Sequence, residues 1–388
     1  MTVAKASRLH YMDAMRSVLM LLGVVLHSAR PYDSYAWRVK DAQTIPALDA
    51  VVATLHSFRM PAFFVIAGFF GMFLLSRPTA VFLRERMRRV LVPLIAMLLS
   101  INLVQVWFLA RQREVTGGFI DGVVLPALWN GRLASHLWFL SCLAIYFALT
   151  ALLAPWLRRL ATPPVQPRST RADHAIFFTM LALAVVAPLG LAIVGSLTAP
   201  ALSLSLLGLV KLSTALLYLP FFAVGVMLCA FPVLLERFAR CSVAVIVLGV
   251  CGAIGAYLTA GREEDLFKAV QVVSGSLLTW MAVRVVFAVF RQWANRPSVT
   301  FRYLSDASYS IYLFHHLVVI VTATWLLPVD IDAWFKFLIV LTTASLVSLG
   351  LHHFVILRHA WFGYLFNGRA IASARRRYAR SPALPADV

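Results

Sequence analysis

The chain has 388 residues, of which 61% are hydrophobic and only 13% charged, and its mean hydropathy is +0.83. Soluble domains run at roughly 45–50% apolar and about 25% charged, so a soluble enzyme is excluded. The formal net charge of +19 would suit a nucleic-acid binder. However, the basic residues stand in short loops between apolar runs, a membrane-topology signature, so the implied partner is the lipid bilayer and not nucleic acid.

Residues 1–29 resemble a signal peptide, with Lys5 and Arg8 ahead of an apolar core. No small-residue cleavage site follows, and further spans come after it, so an uncleaved first span is expected. A spanning helix needs about 20 mainly apolar residues. Ten such segments are predicted, at 12–29, 50–75, 90–110, 136–157, 175–195, 208–230, 242–260, 268–290, 307–327 and 335–357. The arginine-rich loops then fall on the side of the N-terminus, which makes both termini cytoplasmic. The fold class expected is an all-α polytopic membrane bundle of about ten transmembrane helices. Residues 1–370 form one integral membrane domain and 371–388 a basic, disordered cytoplasmic tail. The fifth and sixth spans, joined by an apolar stretch, have the least distinct boundaries. The four cysteines, Cys142, Cys229, Cys241 and Cys251, include no CxxC pair, so neither a disulfide framework nor a zinc site is expected.

Ionisable groups inside spans cost about 2.5–3.5 kcal/mol each on insertion scales and mark function or a buried pairing. In the first span, Asp13 and Arg16 are spaced for an i,i+3 ion pair. Eleven positions at 100° each bring Arg16 and His27 onto one face, about 16 Å apart along the axis. Burial disfavours a charged imidazole, which suits His27 to act as a base. An interfacial histidine and a snorkelling arginine would leave the same pattern. In the second span, His56 and Arg59 are i,i+3 neighbours at a depth similar to His27, ahead of Pro61. On the cytoplasmic side, Arg86 and Arg89 can turn two guanidiniums one way and grip a phosphorylated ligand, although a topogenic cluster looks alike. In the ninth span, Ser308, Tyr309, Tyr312, His315 and His316 lie close in sequence. Adjacent histidines point about 100° apart on a helix, so His315 and His316 are not expected to face one ligand together, and no metal site is expected. One should line a cavity while the other packs against a neighbouring helix. His136 and Trp138 open the fourth span at its outer rim as belt anchors or as part of the cavity mouth.

Asp13-x-x-Arg16 with His27 beyond it resembles the first-span signature of the membrane acyltransferase-3 family. Phe63-Phe-Val-Ile-Ala-Gly68-Phe-Phe is similar to its second-span element, with Ala67 where serine is usual. Arg86-x-x-Arg89-x-x-x-Pro93 resembles its cytoplasmic Arg-x-x-Arg motif, and Ser308-Tyr309-Ser-Ile-Tyr312-Leu-x-His315 its penultimate-span motif. His56-Ser-Phe-Arg59-Met60, His136-Leu-Trp138-Phe-Leu140 and Leu365-Phe-Asn-Gly368-Arg369 resemble the glucan-biosynthesis branch of that family.

The resemblance implies an O-acyltransferase of the bacterial inner membrane. It would move an acyl group, expected to be succinyl, from cytoplasmic acyl-CoA to hydroxyls of a periplasmic glucan or related polysaccharide. Acyl-CoA, expected to be succinyl-CoA, is then a co-substrate and no permanently bound cofactor is implied. His27 becomes the catalytic histidine with Arg16 and Asp13 beside it in the motif, while Arg86 and Arg89 become donor contacts. His56, Arg59, His136, Trp138, Tyr309, Tyr312, His315 and His316 line the acyl and substrate path, and Arg59 meets a succinyl carboxylate. The rivals are a proton-coupled transporter or exporter, and an O-acetyltransferase acting on another cell-surface polysaccharide. A transporter would be expected to show inverted repeats and paired broken helices, and the sequence displays neither clearly.

Overall fold

In hydrocarbon every backbone N–H and C=O must be bonded within its own segment, so a long apolar run has little choice but to become a helix. The computed structural model describes residues 9–162, 169–198 and 202–370. Among them nine helices are long and apolar enough to cross a membrane, or ten when one bent pair counts as a single span. The chain is a multi-pass, all-α membrane protein.

The first half of the chain supplies α1 (His10–Ala29), α2 (Pro46–Leu74), α3 (Thr79–Leu98) and α4 (Ile101–Gln112), followed by the short α5 (Leu125–Trp129), α6 (Trp138–Leu152) and α7 (Ala154–Leu160). Helices α3 and α4 together form one crossing, Thr79–Gln112. The second half supplies α8 (Thr170–Leu197), α9 (Leu212–Ala230), α10 (Pro232–Phe238), α11 (Val243–Leu258) and α12 (Asp265–Trp293). It closes with α13 (Val299–Leu326), α14 (Ala333–Gly350) and α15 (Ala360–Asn367). Each of the ten segments expected from hydropathy holds one of these helices. Residues 1–8 and the tail 371–388 lie outside the described residues.

Helix α1 is the axis of the half that carries the site. It packs against α2, α13 and α14, and α13 packs in turn against α14. In the other half, α2 crosses α9 at close range because both helices present glycine. A Cβ on Gly68 would strike the carbonyl oxygen of Phe222, and one on Gly225 would strike that of Val65. Small residues at such a crossing let two backbones approach, which matters where lipid removes any hydrophobic drive for helices to associate.

Two local features depart from plain hydropathy. Between α8 and α9 a two-residue antiparallel ribbon pairs Ser205 with Lys211 and Leu206 with Val210. It turns through Leu207 and Gly208, both at positive φ. The loop expected between 230 and 242 also holds the short helix α10, which meets α11 at a 65° bend. Arg284, buried on α12, fixes that bend by donating to the carbonyls of Arg237, Phe238 and Arg240 at 3.2–3.4 Å. A cation at a helix C-terminus satisfies carbonyls that have no intrahelical partner.

Gly225→Ala should lower the thermal midpoint of the purified protein, with overpacking of this kind costing roughly 1–3 kcal/mol. Gly190→Ala on α8, where an added methyl meets open space, should leave the midpoint unchanged. Equal midpoints for the two variants would remove the close crossing.

Candidate active site

Four imidazoles meet at one end of the bundle. Helix α1 brings His27, α13 brings His315 and His316, and His136 sits in the 3-10 turn that leads into α6. The His27 ring lies 5.2 Å from His315 and 5.0 Å from His316, centroid to centroid, while those two are 6.2 Å apart. His136 stacks on His316 at 4.6 Å and lies 5.6 Å from His315. The expectation that His315 and His316 would part company is therefore corrected. Their side chains do diverge around the helix, but α1 packs along the bisector, so one ring on α1 reaches both.

The tautomers of the α13 pair follow from their partners. His315 Nδ1 faces the carbonyl oxygen of Ile311 at 2.8 Å, and His316 Nδ1 faces Gln105 Oε1 at 2.7 Å. Both oxygens can only accept, so both Nδ1 atoms donate, and each neutral ring keeps its lone pair on Nε2. Gln105 is held in turn by donating to Ser135 Oγ at 3.2 Å. Other polar atoms have no partner among the described residues: His27 Nδ1, both His136 ring nitrogens, His315 Nε2 and Arg59 Nε. Among the described residues no group of three His, Cys, Asp or Glu is arranged to hold a metal ion.

Arg59 enters this region from α2. Its guanidinium lies against α1 at Gly23, where a Cβ would land on Nη1, so the absent side chain of Gly23 makes room for it. Arg59 is an electrostatic neighbour of His27, His315, Tyr312 and Tyr218. Tyr312 spends its hydroxyl on the carbonyl of His136 at 2.7 Å, and Tyr309 spends its own on the carbonyl of Arg89 at 2.8 Å. The two tyrosine rings, 6.5 Å apart, run along α13 from the histidines toward α3.

A strap, residues 30–45, closes the histidine end. Within it Asp33 accepts from Arg30 at 2.6 Å and from Lys40 at 3.1 Å. Asp41 accepts from Lys336 of α14 at 2.8 Å, with the two side chains only 3% and 4% exposed. Pinned at both ends, the strap lays Trp37 on the cluster, 6.4 Å from His27 in a stacked pose and 5.7 Å from His316.

Other residues expected at the site stand at its edge or away from it. His56 is exposed while Arg59 turns inward, yet His56 remains an electrostatic neighbour of both His27 and Arg59. Trp138 packs on Phe64 and Tyr218 in an aromatic wall and not on the histidines. Asp13 and Arg16 pair at 3.9 Å, about 21 and 16 Å along α1 from His27 at 1.5 Å per residue. At that far end Arg16 and Arg89 are electrostatic neighbours of Arg86, whose guanidinium lies 5.7 Å over the Phe147 ring. An apolar groove between α8 and α9, lined by Met180, Ala184, Pro220 and Val224, contains no titratable group. Trp37 and Gln105 were not expected at the site. Trp37 lies in a loop without periodicity and Gln105 was hidden in an apolar span.

A family model described as an acyltransferase domain matches residues 9–353. Glucans biosynthesis protein C of Escherichia coli strain K12 is 28% identical over 398 aligned residues, covering 99% of this chain and 100% of that protein. The protein of the same name from Shigella dysenteriae serotype 1 matches at the same identity and coverage. No solved structure matches.

Asp41→Ala leaves Lys336 as a buried unpaired charge and should destabilise the protein by about 3–5 kcal/mol. Adding Lys336→Met should restore most of that loss. Denaturation midpoints of the single and double variants measure it, and equal losses in both would show that the pair does not hold the strap.

Proposed function

This chain belongs to the acyltransferase domain family, and on that premise we propose that it is a transmembrane O-acyltransferase of the bacterial inner membrane. It transfers succinyl from cytoplasmic acyl-CoA to hydroxyls of a periplasmic glucan. The observation that carries this reading is the division of labour along α1. Histidine rings with unsatisfied nitrogens crowd one end, while Arg16, Arg86 and Arg89 gather at the other. The names of the Escherichia coli and Shigella relatives support a glucan as the acceptor.

His27 is the base. A ring nitrogen takes the proton of the acceptor hydroxyl as the hydroxyl oxygen attacks the thioester carbonyl. The carbon–sulfur bond breaks, and the electron pair leaves on the CoA sulfur, which takes up a proton to become the thiol. General-base assistance of this kind contributes typically about 10²–10⁴-fold. The Nε2 lone pairs of His315 and His316, oriented by Ile311 and Gln105, face the space around His27 and can accept hydrogen bonds from incoming hydroxyls. Tyr312 and Tyr309 already donate elsewhere, so the tyrosines shape the path and do not stabilise an oxyanion. Among the described residues Arg59 is the arginine that acts on His27, and its fork suits a carboxylate bidentately. It therefore selects an acyl group that ends in one. At the opposite end Arg86 and Arg89 bind the phosphates of CoA, and the protein is oriented with both termini in the cytoplasm.

Mass spectrometry of periplasmic glucans should show a succinyl increment restored to a strain lacking the gene by the wild type and not by His27→Ala. An acetyl increment on another polysaccharide, with glucans unchanged, would replace both substrates. Arg59→Ala should cut succinyl transfer by roughly tenfold or more relative to acetyl transfer, since a hydrogen bond to a charged group is worth about 1.5–3 kcal/mol. Equal losses for both acyl groups, measured with the purified enzyme, would refute the carboxylate role.

A further inference from the structure

The histidine end carries three arginines that the transfer itself does not use. Arg38 follows Trp37 in the strap, Arg113 stands just beyond α4, eight residues past Gln105, and Arg132 precedes His136 by four. Each therefore stands on a segment that already gives a residue to the cluster. Arg113 donates to the carbonyl of Arg38 at 3.3 Å, and both Arg113 and Arg132 are electrostatic neighbours of the Arg38 guanidinium. Arg38 in turn acts on the rings of His136 and His316. None of the three arginines is ion-paired with a carboxylate among the described residues.

Like charges gathered without a counter-ion form a focused positive field, and such fields attract anions. Burial first, then Arg113 and Arg132, pull the pKa of Arg38 down to about 10. Topology does not account for it either. With the orientation proposed above, these arginines lie on the outer face, where basic residues are normally depleted. Arg38 is half-buried and addresses the histidines, unlike a headgroup-facing residue on the lipid side. Beside it the half-buried ring of Trp37 offers a flat apolar face, the surface on which the C–H face of a sugar ring can lie.

We propose that Arg38, Arg113 and Arg132 form an anion-binding subsite for the acceptor glycan, with Trp37 as the platform for the sugar next to it. The subsite takes carboxylates borne by sugar units adjoining the one being acylated, so a glucan that already carries half-esters binds better than a bare one. This inference rests on the glycan acceptor proposed above and on its approach from the histidine end.

The test uses the full-length protein in nanodiscs of zwitterionic lipid, without acyl donor. The probes are a glucan oligosaccharide bearing succinyl half-esters and the same oligosaccharide unsubstituted, with binding read by calorimetry. The wild type should bind the half-ester form roughly tenfold more tightly at 0.05 M salt, and screening should remove most of that preference by 0.5 M. Arg113→Gln/Arg132→Gln, which alters only exposed side chains, should reduce the preference several-fold, and Arg38→Gln in addition should abolish it. Acyl-CoA hydrolysis without acceptor should stay unchanged in the exposed pair variant. Equal wild-type affinity for the two oligosaccharides would overturn the proposal, as would a preference that survives the triple variant. Retention of anionic lipid by the wild type and its loss from the triple variant, without discrimination between oligosaccharides, would assign the arginines to a headgroup instead. Because binding is read without donor, failure of acyl transfer would count against the enzymatic reading alone and leave the subsite to be judged on affinity.

Discussion

A buried polar atom without a hydrogen bond costs about 1–3 kcal/mol, and native interiors tolerate few of them. In this bundle several such atoms are concentrated at one place, on His27, His136, His315 and Arg59. The groups acting on His27 are other imidazoles and one guanidinium, and its Nδ1 has no hydrogen-bond partner among the described residues. Other buried polar groups find partners in neighbouring helices. Arg284 caps a bent helix, Asn102 donates to the carbonyls of Leu133 and Ala134, and Trp280 donates to that of Ala184. Five such atoms on four neighbouring side chains make the histidine end the candidate site.

Holding that place open requires rigidity around it. Helix α1 wedges His27 between His315 and His316, Gly23 admits Arg59, and Gln105 fixes one ring through Ser135. The strap is fastened by a buried ion pair to α14, so Trp37 is set on the cluster before any ligand arrives. Preorganisation of this sort lets groups meet a transition state without reorganising when reaction occurs.

Much of the fold was legible because a bilayer restricts the options. Apolar length gave the spans, and glycine at Gly68 signalled a close crossing. The short helix α10 was not legible, because Glu236, Arg237 and Arg240 make residues 232–242 read as a plain loop between two spans. At the site, His27, His315, His316, Arg59 and Tyr312 stood out as polar groups in apolar runs, and the structure brings them together. Helical wheel geometry misjudged the His315–His316 doublet, since it describes one helix and the cluster depends on where its neighbour packs. His56 and Arg59 are electrostatic neighbours as their spacing suggested, but an i,i+3 pair is 60° apart, enough to leave one exposed and one buried. Trp37 and its arginines sit in irregular segments, where no period betrays which side chain faces inward. Only the strap's tertiary ion pairs reveal that.

The arginines on α3 and the histidines beyond Tyr312 belong to one reaction only if donor and acceptor can occupy opposite faces of the membrane. Proteoliposomes loaded with radiolabelled succinyl-CoA on the Arg86 face and glucan oligosaccharide on the His27 face measure this directly. Label should appear on the oligosaccharide across the intact bilayer and vanish with His27→Ala. Label that appears only when both substrates share one face would contradict transfer through the bundle.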